Sequence, residues 1–187
     1  MGPLGKPAPH GPAEWERGSL RGGIIVPVPE AEPLVQAWRA RFDPVASQGV
    51  PAHITLLYPF LTADAIDAAG QAFLTELFAR TPSVRARLAT VGRFPEVVYL
   101  APEPAAWFIR LTESLSARFG LLPYGGAFGS VVPHLTVAQH PDQAVLDEVA
   151  AQLAPLLPIE VSIAEVWLME QRTTDRWEHR ATFPLAP

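Results

Sequence analysis

Segments with strand and helix periods alternate along the chain in an order that predicts an α+β protein of two similar lobes, each an antiparallel sheet facing a central cleft with helices outside. Three observations carry this. A phrase occurs twice, as Val50-Pro51-Ala52-His53-Ile54-Thr55-Leu56-Leu57 and as Val131-Val132-Pro133-His134-Leu135-Thr136-Val137, once in each half of the chain. Each copy sets a histidine and a threonine two positions apart in an apolar, partly β-branched run, and alternate residues of a strand share a face, so imidazole and hydroxyl stand side by side. Helix-period stripes flank both copies, and a hairpin pattern closes each half.

In order, residues 1–21 are rich in Gly and Pro without an apolar period and read as a flexible leader, while 22–187 read as a single bilobal domain. Gly23 to Val28 predicts a first strand, with Pro27 suggesting an edge position. Pro33 suits a first helical turn, Leu34, Val35, Trp38 and Phe42 follow at helical spacing, and Pro44 ends the helix. The first histidine strand runs from Ala52 to Tyr58 and stops at Pro59. A second helix starts at Thr62 or Ala63, carries Ile66, Phe73, Leu74, Leu77 and Phe78, and ends near Thr81-Pro82. Val84 to Val91 alternates as a half-buried strand, and a turn at Arg93-Phe94-Pro95-Glu96 leads into Val97-Val98-Tyr99-Leu100 as a hairpin.

A third helix spans Pro104 to Phe119, with Gly120 as its stop. The glycine-rich stretch from Pro123 to Gly129 reads as a mobile loop before the second histidine strand. Asp142 caps a fourth helix bearing Val145, Leu146, Val149 and Leu153. Two closing strands, Ile159 to Met169 and Trp177 to Phe183, flank the polar turn Gln171 to Asp175.

At 187 residues and 49% hydrophobic, the chain can bury a sizeable core. A net charge of -5 argues against wholesale binding to a nucleic-acid backbone and leaves a small nucleotide or an RNA end as the ligand scale. No apolar stretch is long and uncharged enough to cross a bilayer, and no secretory signal pattern is present. With no cysteine, disulfides, thiol nucleophiles and thiolate zinc sites are excluded. The expectation is a cytoplasmic monomer without membrane association.

Displacement at phosphorus needs a base for the attacking oxygen and an acid for the leaving oxygen, on opposite sides of the phosphate. Two histidines from opposing lobes meet that geometry. With a reference pKa near 6.5, one ring can be neutral while the other is protonated. Each threonine hydroxyl can donate to a non-bridging oxygen. Neither metal nor cofactor is required. Tyr58 and Phe94 are candidates to stack on a base and Arg172 to clamp a phosphate, each with a core, rim or solvated role as its alternative.

The two His-x-Thr phrases, the Pro51-Ala52 and Tyr58-Pro59-Phe60 flanks, and the Arg93-Phe94-Pro95 turn before Val97 to Leu100 together resemble the two-histidine phosphoesterases, specifically the group named after bacterial 2′-5′ RNA ligase and cyclic nucleotide phosphodiesterase. The resemblance covers about Leu20 to Leu185. It implies a bilobal two-histidine phosphoesterase-like fold, catalysis by His53, Thr55, His134 and Thr136, and substrates with 2′,3′-cyclic phosphates or 2′-5′ linkages. Small cyclic phosphates and nucleotides are favoured over large RNA by the acidic balance.

Two other readings stand beside this one. A binding module could hold a nucleotide or phosphorylated ligand in the same cleft without turnover. A metal site could form if His53, His134, His140 and His179 converged, although no carboxylate lies beside the phrases to support such ligands. Taken singly, His140 reads as a loop residue and His179 as a residue packed on a strand face.

Overall fold

The computed structural model describes residues 21–173 and 176–187. The expected leader lies outside them, except for Arg21, whose carbonyl accepts the Gln171 N–H at 2.9 Å. The elements are β1 (Gly22–Pro27), α1 (Glu32–Phe42), α2 (Pro44–Ser47), β2 (His53–Phe60), α3 (Ala68–Arg80), β3 (Val84–Phe94), β4 (Val97–Glu103), α4 (Ala105–Phe119), β5 (Leu135–Gln139), α5 (Gln143–Leu153), β6 (Ile159–Ile163), β7 (Glu165–Thr173) and β8 (Arg176–Pro184). Among the described residues no helix is long and apolar enough to cross a membrane.

The strands form two four-stranded sheets in the orders β2-β1-β7-β8 and β5-β4-β3-β6, with every pairing antiparallel. The α+β, two-lobed expectation therefore holds. Its division of the chain into halves does not. The repeated unit is strand, helix, histidine strand: β1-α1-β2 in one copy and β4-α4-β5 in the other. The first sheet is completed by β7 and β8, which follow the second unit, and the second takes β3 from behind the first unit's helices. α1 packs against β5 and α4 against β2, so each histidine strand contacts the connecting helix of the other unit. One buried cluster spans both sheets, including Ile24, Ile54, Leu57, Leu88, Leu100, Leu135, Val161 and Leu168.

Several boundaries differ from expectation, each for a local reason. The edge position suggested by Pro27 is wrong: β1 lies between β2 and β7. The ladder to β7 has ended by Ile25, so the missing N–H of Pro27 costs no bond there. Pro59 does not stop the first histidine strand, which continues through a cis Tyr58–Pro59 peptide to Phe60, on an edge strand where a missing donor is tolerated. Pro44 follows the end of α1 but also opens α2, for which Asp43 accepts the Val45 N–H. The Thr62-Ala63 signal makes only a 3₁₀ turn, Ala63–Ala65; α3 starts at Ala68, where Asp67 accepts the Gly70 N–H at 2.7 Å. The glycine-rich stretch contains a 3₁₀ turn, Pro123–Gly126.

The expected closing strand Ile159 to Met169 is two strands in different sheets, β6 against β3 and β7 against β1. The apolar phase changes where they part: Ile159, Val161 and Ile163 are buried, then Val166 and Leu168. The hairpin of β3 and β4, the Gly120 cap of α4 and the Asp142 cap of α5 are as expected.

Because β1 is central, its two glycines probe the sheet differently. A Cβ on Gly22 would stand 2.1 Å from the Leu61 carbonyl oxygen, a backbone atom, whereas one on Gly23 would meet the Tyr58 ring at 3.6 Å, ordinary contact. Gly22→Ala is expected to cost about 1–3 kcal/mol in urea unfolding and Gly23→Ala less than about 1 kcal/mol; equal midpoints for the two variants would contradict this packing.

Candidate active site

His53 opens β2, and His134 immediately precedes β5. The two rings are held alike. Nδ1 of His53 lies 2.8 Å from the Pro51 carbonyl oxygen, and Nδ1 of His134 lies 2.7 Å from that of Val132, in each case the carbonyl two residues upstream. A carbonyl only accepts, so Nδ1 carries the hydrogen and donates, leaving Nε2 of each neutral ring with its lone pair for chemistry. The rings are near enough that a charge on His134 bears on His53.

The duplication extends beyond the shared letters. In β2, Thr55 pairs with Ile25 and Leu57 with Ile24, so Leu56 is an extra residue; in β5, Thr136 pairs with Tyr99 and Ala138 with Val98, so Val137 is extra. Both bulges fall three residues after the histidine. A regular strand would turn Tyr58 away from the His53 and Thr55 face, and the bulge returns it. Gln139 holds the corresponding place after His134.

The approach to His53 is clamped by α1. Arg39, 1% exposed, donates to the Val50 carbonyl at 3.1 Å and to Asp43 at 3.0 Å, and it pairs with Glu32 at 3.7 Å. Glu32 in turn accepts the Ala52 N–H at 2.6 Å. The backbone on both sides of Pro51, whose carbonyl orients His53, is thus tied to one ion cluster centred on the buried Arg39. Burial pushes the Asp43 carboxyl up, with Arg39 opposing. Sequence reading missed this clamp. Its signal is an arginine four residues after Val35 on the buried side of a helix, a position where an unpaired charge is not tolerated.

Aromatic side chains gather around Tyr58 in one unit and against the His134 ring in the other. Tyr58, returned by the bulge to the face of Thr55, meets Trp177 and Tyr124 edge-on, with centroids 5.8 and 6.4 Å away. Near Thr136, Phe94 meets His134 edge-on at 5.1 Å and lies 4.4 Å from Tyr99, which is 5.4 Å from His134. Tyr99 can lie across β3 because residue 92 is glycine: a Cβ there would come within 2.2 Å of its ring. Trp177, Tyr99 and Tyr124 were not singled out from the sequence.

Arg172 is engaged by carboxylates of its own hairpin. It shares the face of β7 that carries Glu170, opposite Met169 and Gln171, and pairs with Glu170 at 3.2 Å and Glu178 at 3.7 Å. Glu170 is 4% exposed and also accepts the Ala63 N–H, so this arginine neutralises a buried carboxylate. His140 lies edge-on to Phe42 and accepts the Asp142 N–H, while His179 packs on Trp167 and hydrogen-bonds Thr182. Among the described residues no three His, Asp or Glu side chains are placed to hold one metal ion.

Burial lowers the pKa of His53 to about 4, with smaller contributions in the same direction from Arg39 and His134 and an opposing one from the Pro51 carbonyl. His134 is lowered too, by burial, against the Val132 carbonyl. Both rings are therefore neutral near pH 7 in the free protein, whereas the reference value suggested one of each form. A bound phosphate anion would stabilise a proton on one of them, the first candidate being His134.

Arg39→Leu leaves Asp43 buried without its cation and is expected to cost about 3–5 kcal/mol in urea unfolding, against less than about 1 kcal/mol for Arg87→Ala at the exposed Glu103 pair; similar losses would remove the clamp. Keeping His53 neutral also becomes costly as pH falls below the unfolded-state value of about 6.5 toward about 4. Between pH 7 and 4.5 the wild type should lose about 2 kcal/mol more than His53→Gln in parallel denaturant titrations. Parallel pH curves would show that the ring is not held neutral.

Solved structures share this architecture. LigT of E. coli complexed with 3′-AMP superposes with a TM-score of 0.59 at 20% identity, over 90% of this chain and 99% of that one. TT0787 of Thermus thermophilus gives 0.58 at 22% identity, over 88% and 97%. A protein described as a phosphoesterase gives 0.55 at 19% identity, over 90% and 99%. No curated protein sequence matches. The model of the 2′-5′ RNA ligase superfamily matches residues 27–175, a span holding both histidine phrases and seven of the eight strands in whole or part, and the chain belongs to that superfamily.

Proposed function

We propose that the protein is a metal-independent phosphoesterase acting on 2′,3′-cyclic phosphates or 2′-5′ phosphodiester linkages of nucleotides or RNA ends. The observation that carries this reading is the matched pair of imidazoles, each held through Nδ1 by its own upstream carbonyl and each two residues before a threonine. The superfamily and the phosphoesterase among the structural neighbours support the reaction class, and the complexes of E. coli LigT with 3′-AMP, ATP and NADP+ support a nucleotide as ligand.

In hydrolysis of a cyclic phosphate, Nε2 of His53 takes a proton from water as its oxygen bonds to phosphorus. The P–O bond to one ribose oxygen breaks, and that oxygen takes the proton from Nε2 of protonated His134. The product is a phosphomonoester. His53 suits the base because its ring is the more strongly held neutral. A 5′-hydroxyl in place of water gives ligation with the same roles, and in the reverse reaction, where a 2′-5′ linkage is cleaved to a cyclic phosphate and a 5′-hydroxyl, the roles exchange. Thr55 and Thr136 donate to the non-bridging oxygens, where charge accumulates. Tyr58 and Phe94 provide aromatic surface on opposite sides for a base.

The test is turnover of a panel of 2′,3′-cyclic mononucleotides and 2′-5′-linked dinucleotides with excess chelator present. Product is expected from the wild type, and His53→Ala and His134→Ala should each lower kcat by about 10²- to 10⁴-fold. Binding without product would replace this reading with a non-catalytic nucleotide-binding module, and activity abolished by chelator would overturn the metal-independent mechanism.

A further inference from the structure

The connection from α4 to β5, which reads from sequence as a loop, carries three of the five large apolar side chains exposed among the described residues: Leu122, Phe128 and Val132, at 61%, 66% and 42%. One exposed apolar side chain is ordinary, but a group of them beside a cleft asks for a partner. The turn within this segment packs on β2, the strand of His53 and Thr55. Its rings continue a row that starts in the cleft. Trp177 meets Tyr58 at 5.8 Å, Tyr58 meets Tyr124 at 6.4 Å and Tyr124 meets Phe128 at 5.5 Å, each edge-on. Tyr58 and Tyr124 are half-buried, and Phe128 ends the row in solvent.

The row is held by an uncommon backbone. Tyr124, with φ 52° and ψ 34°, is the only non-glycine residue with positive φ among those described, and Gly125 and Gly126 follow it at φ 64° and 80°. A left-handed tyrosine persists only where its surroundings impose it, and such residues gather at ligand sites. Across this tight bend Phe128 comes back onto Tyr124. Charge narrows what the exposed ring can meet. From Gly120 to Pro141 the sequence has no Asp, Glu, Lys or Arg, in a chain with 19 acidic residues and a net charge of -5. A charged peptide finds no counter-charge in this segment, whereas a phosphate-bearing strand meets no like charge there. An aromatic face stacks on a nucleic-acid base whatever its sequence.

We propose that Phe128 is a stacking subsite for a second nucleotide, the one joined to the 5′ side of the reacting nucleotide, so that the protein takes the end of a short single strand in preference to a mononucleotide. This rests on the phosphoesterase reading above. Tyr58 then serves the reacting nucleotide and Phe128 its neighbour, with Tyr124 as the spacer between them. The gain from this subsite depends little on salt, because the segment has no cation with which to displace counterions from a phosphate.

The test compares turnover of uridine 2′,3′-cyclic phosphate with that of the dinucleotide UpU ending in a 2′,3′-cyclic phosphate, and in parallel the binding of the two corresponding 3′-monophosphates by calorimetry. The wild type is expected to show a kcat/KM about 5- to 20-fold higher for the dinucleotide and to bind its 3′-monophosphate more tightly by a similar factor. Phe128→Leu keeps an apolar side chain and removes the ring. It should abolish both advantages while leaving the mononucleotide within about twofold of wild type, and Phe128→Trp should retain them. Equal values for mononucleotide and dinucleotide, or an advantage that Phe128→Leu leaves intact, would overturn the proposal. So would a concentration-dependent dimer in sedimentation that Phe128→Leu dissolves, since the ring would then belong to a contact with a second copy of the chain. If the dinucleotide advantage appears in binding but nothing is turned over, the phosphoesterase reading fails and the subsite stands; turnover of both substrates at equal kcat/KM keeps that reading and removes the subsite.

Discussion

Everything proposed for this protein depends on a backbone carbonyl standing two residues before each histidine. An imidazole can serve as base or acid only if its tautomer and direction are fixed, and a carbonyl at 2.7–2.8 Å does both by requiring a hydrogen on Nδ1. The geometry is local, reaching no further than the residue before the preceding one. It therefore survives duplication unchanged and appears in both units.

A local bond is only as good as the backbone that offers it. For His53 that backbone is secured by Arg39, Glu32 and Asp43, a cluster around the buried Arg39 in which each charge has a partner and the two polar groups on either side of Pro51 are both used. The second unit has no such cluster in the corresponding helix α4, whose buried residues are Trp107, Phe108, Leu111, Thr112 and Leu115. There His134 is flanked by Phe94 and Tyr99, which fix a ring by contact rather than by charge. Two similar histidines are thus supported by different physics, and burial weighs more heavily on His53.

The exchange of strands between sheets gives this arrangement its coherence. Each unit can build only half a sheet: β7 and β8, which complete the first, follow the second unit in the chain, and the second takes β3 from behind the first unit's helices. With α1 against β5 and α4 against β2, a displacement of one lobe is opposed by packing on the other lobe's histidine strand. Tyr124, from the turn before β5, extends the same exchange by packing on Tyr58 of β2.

Much was legible in the sequence because it depended on short-range chemistry. The paired His-x-Thr phrases, the alternation of β3, the helix stripes, Gly120 and the Asp142 cap each involve residues within one turn or strand, where period and capping rules act. The split between β6 and β7 left only a change of apolar phase, and the bulges left none, because adding one residue to a ladder depends on its partner strand. The pairing of Arg172 with Glu170 was not legible, because it depends on the burial of Glu170, and burial belongs to the folded chain. The sequence by itself determined the chemistry on offer, two imidazoles with two hydroxyls on strands. Tertiary structure alone decided which groups meet, how strongly each ring is desolvated and that a tyrosine from a distant turn packs on Tyr58, because those properties arise from contacts between segments far apart in the chain.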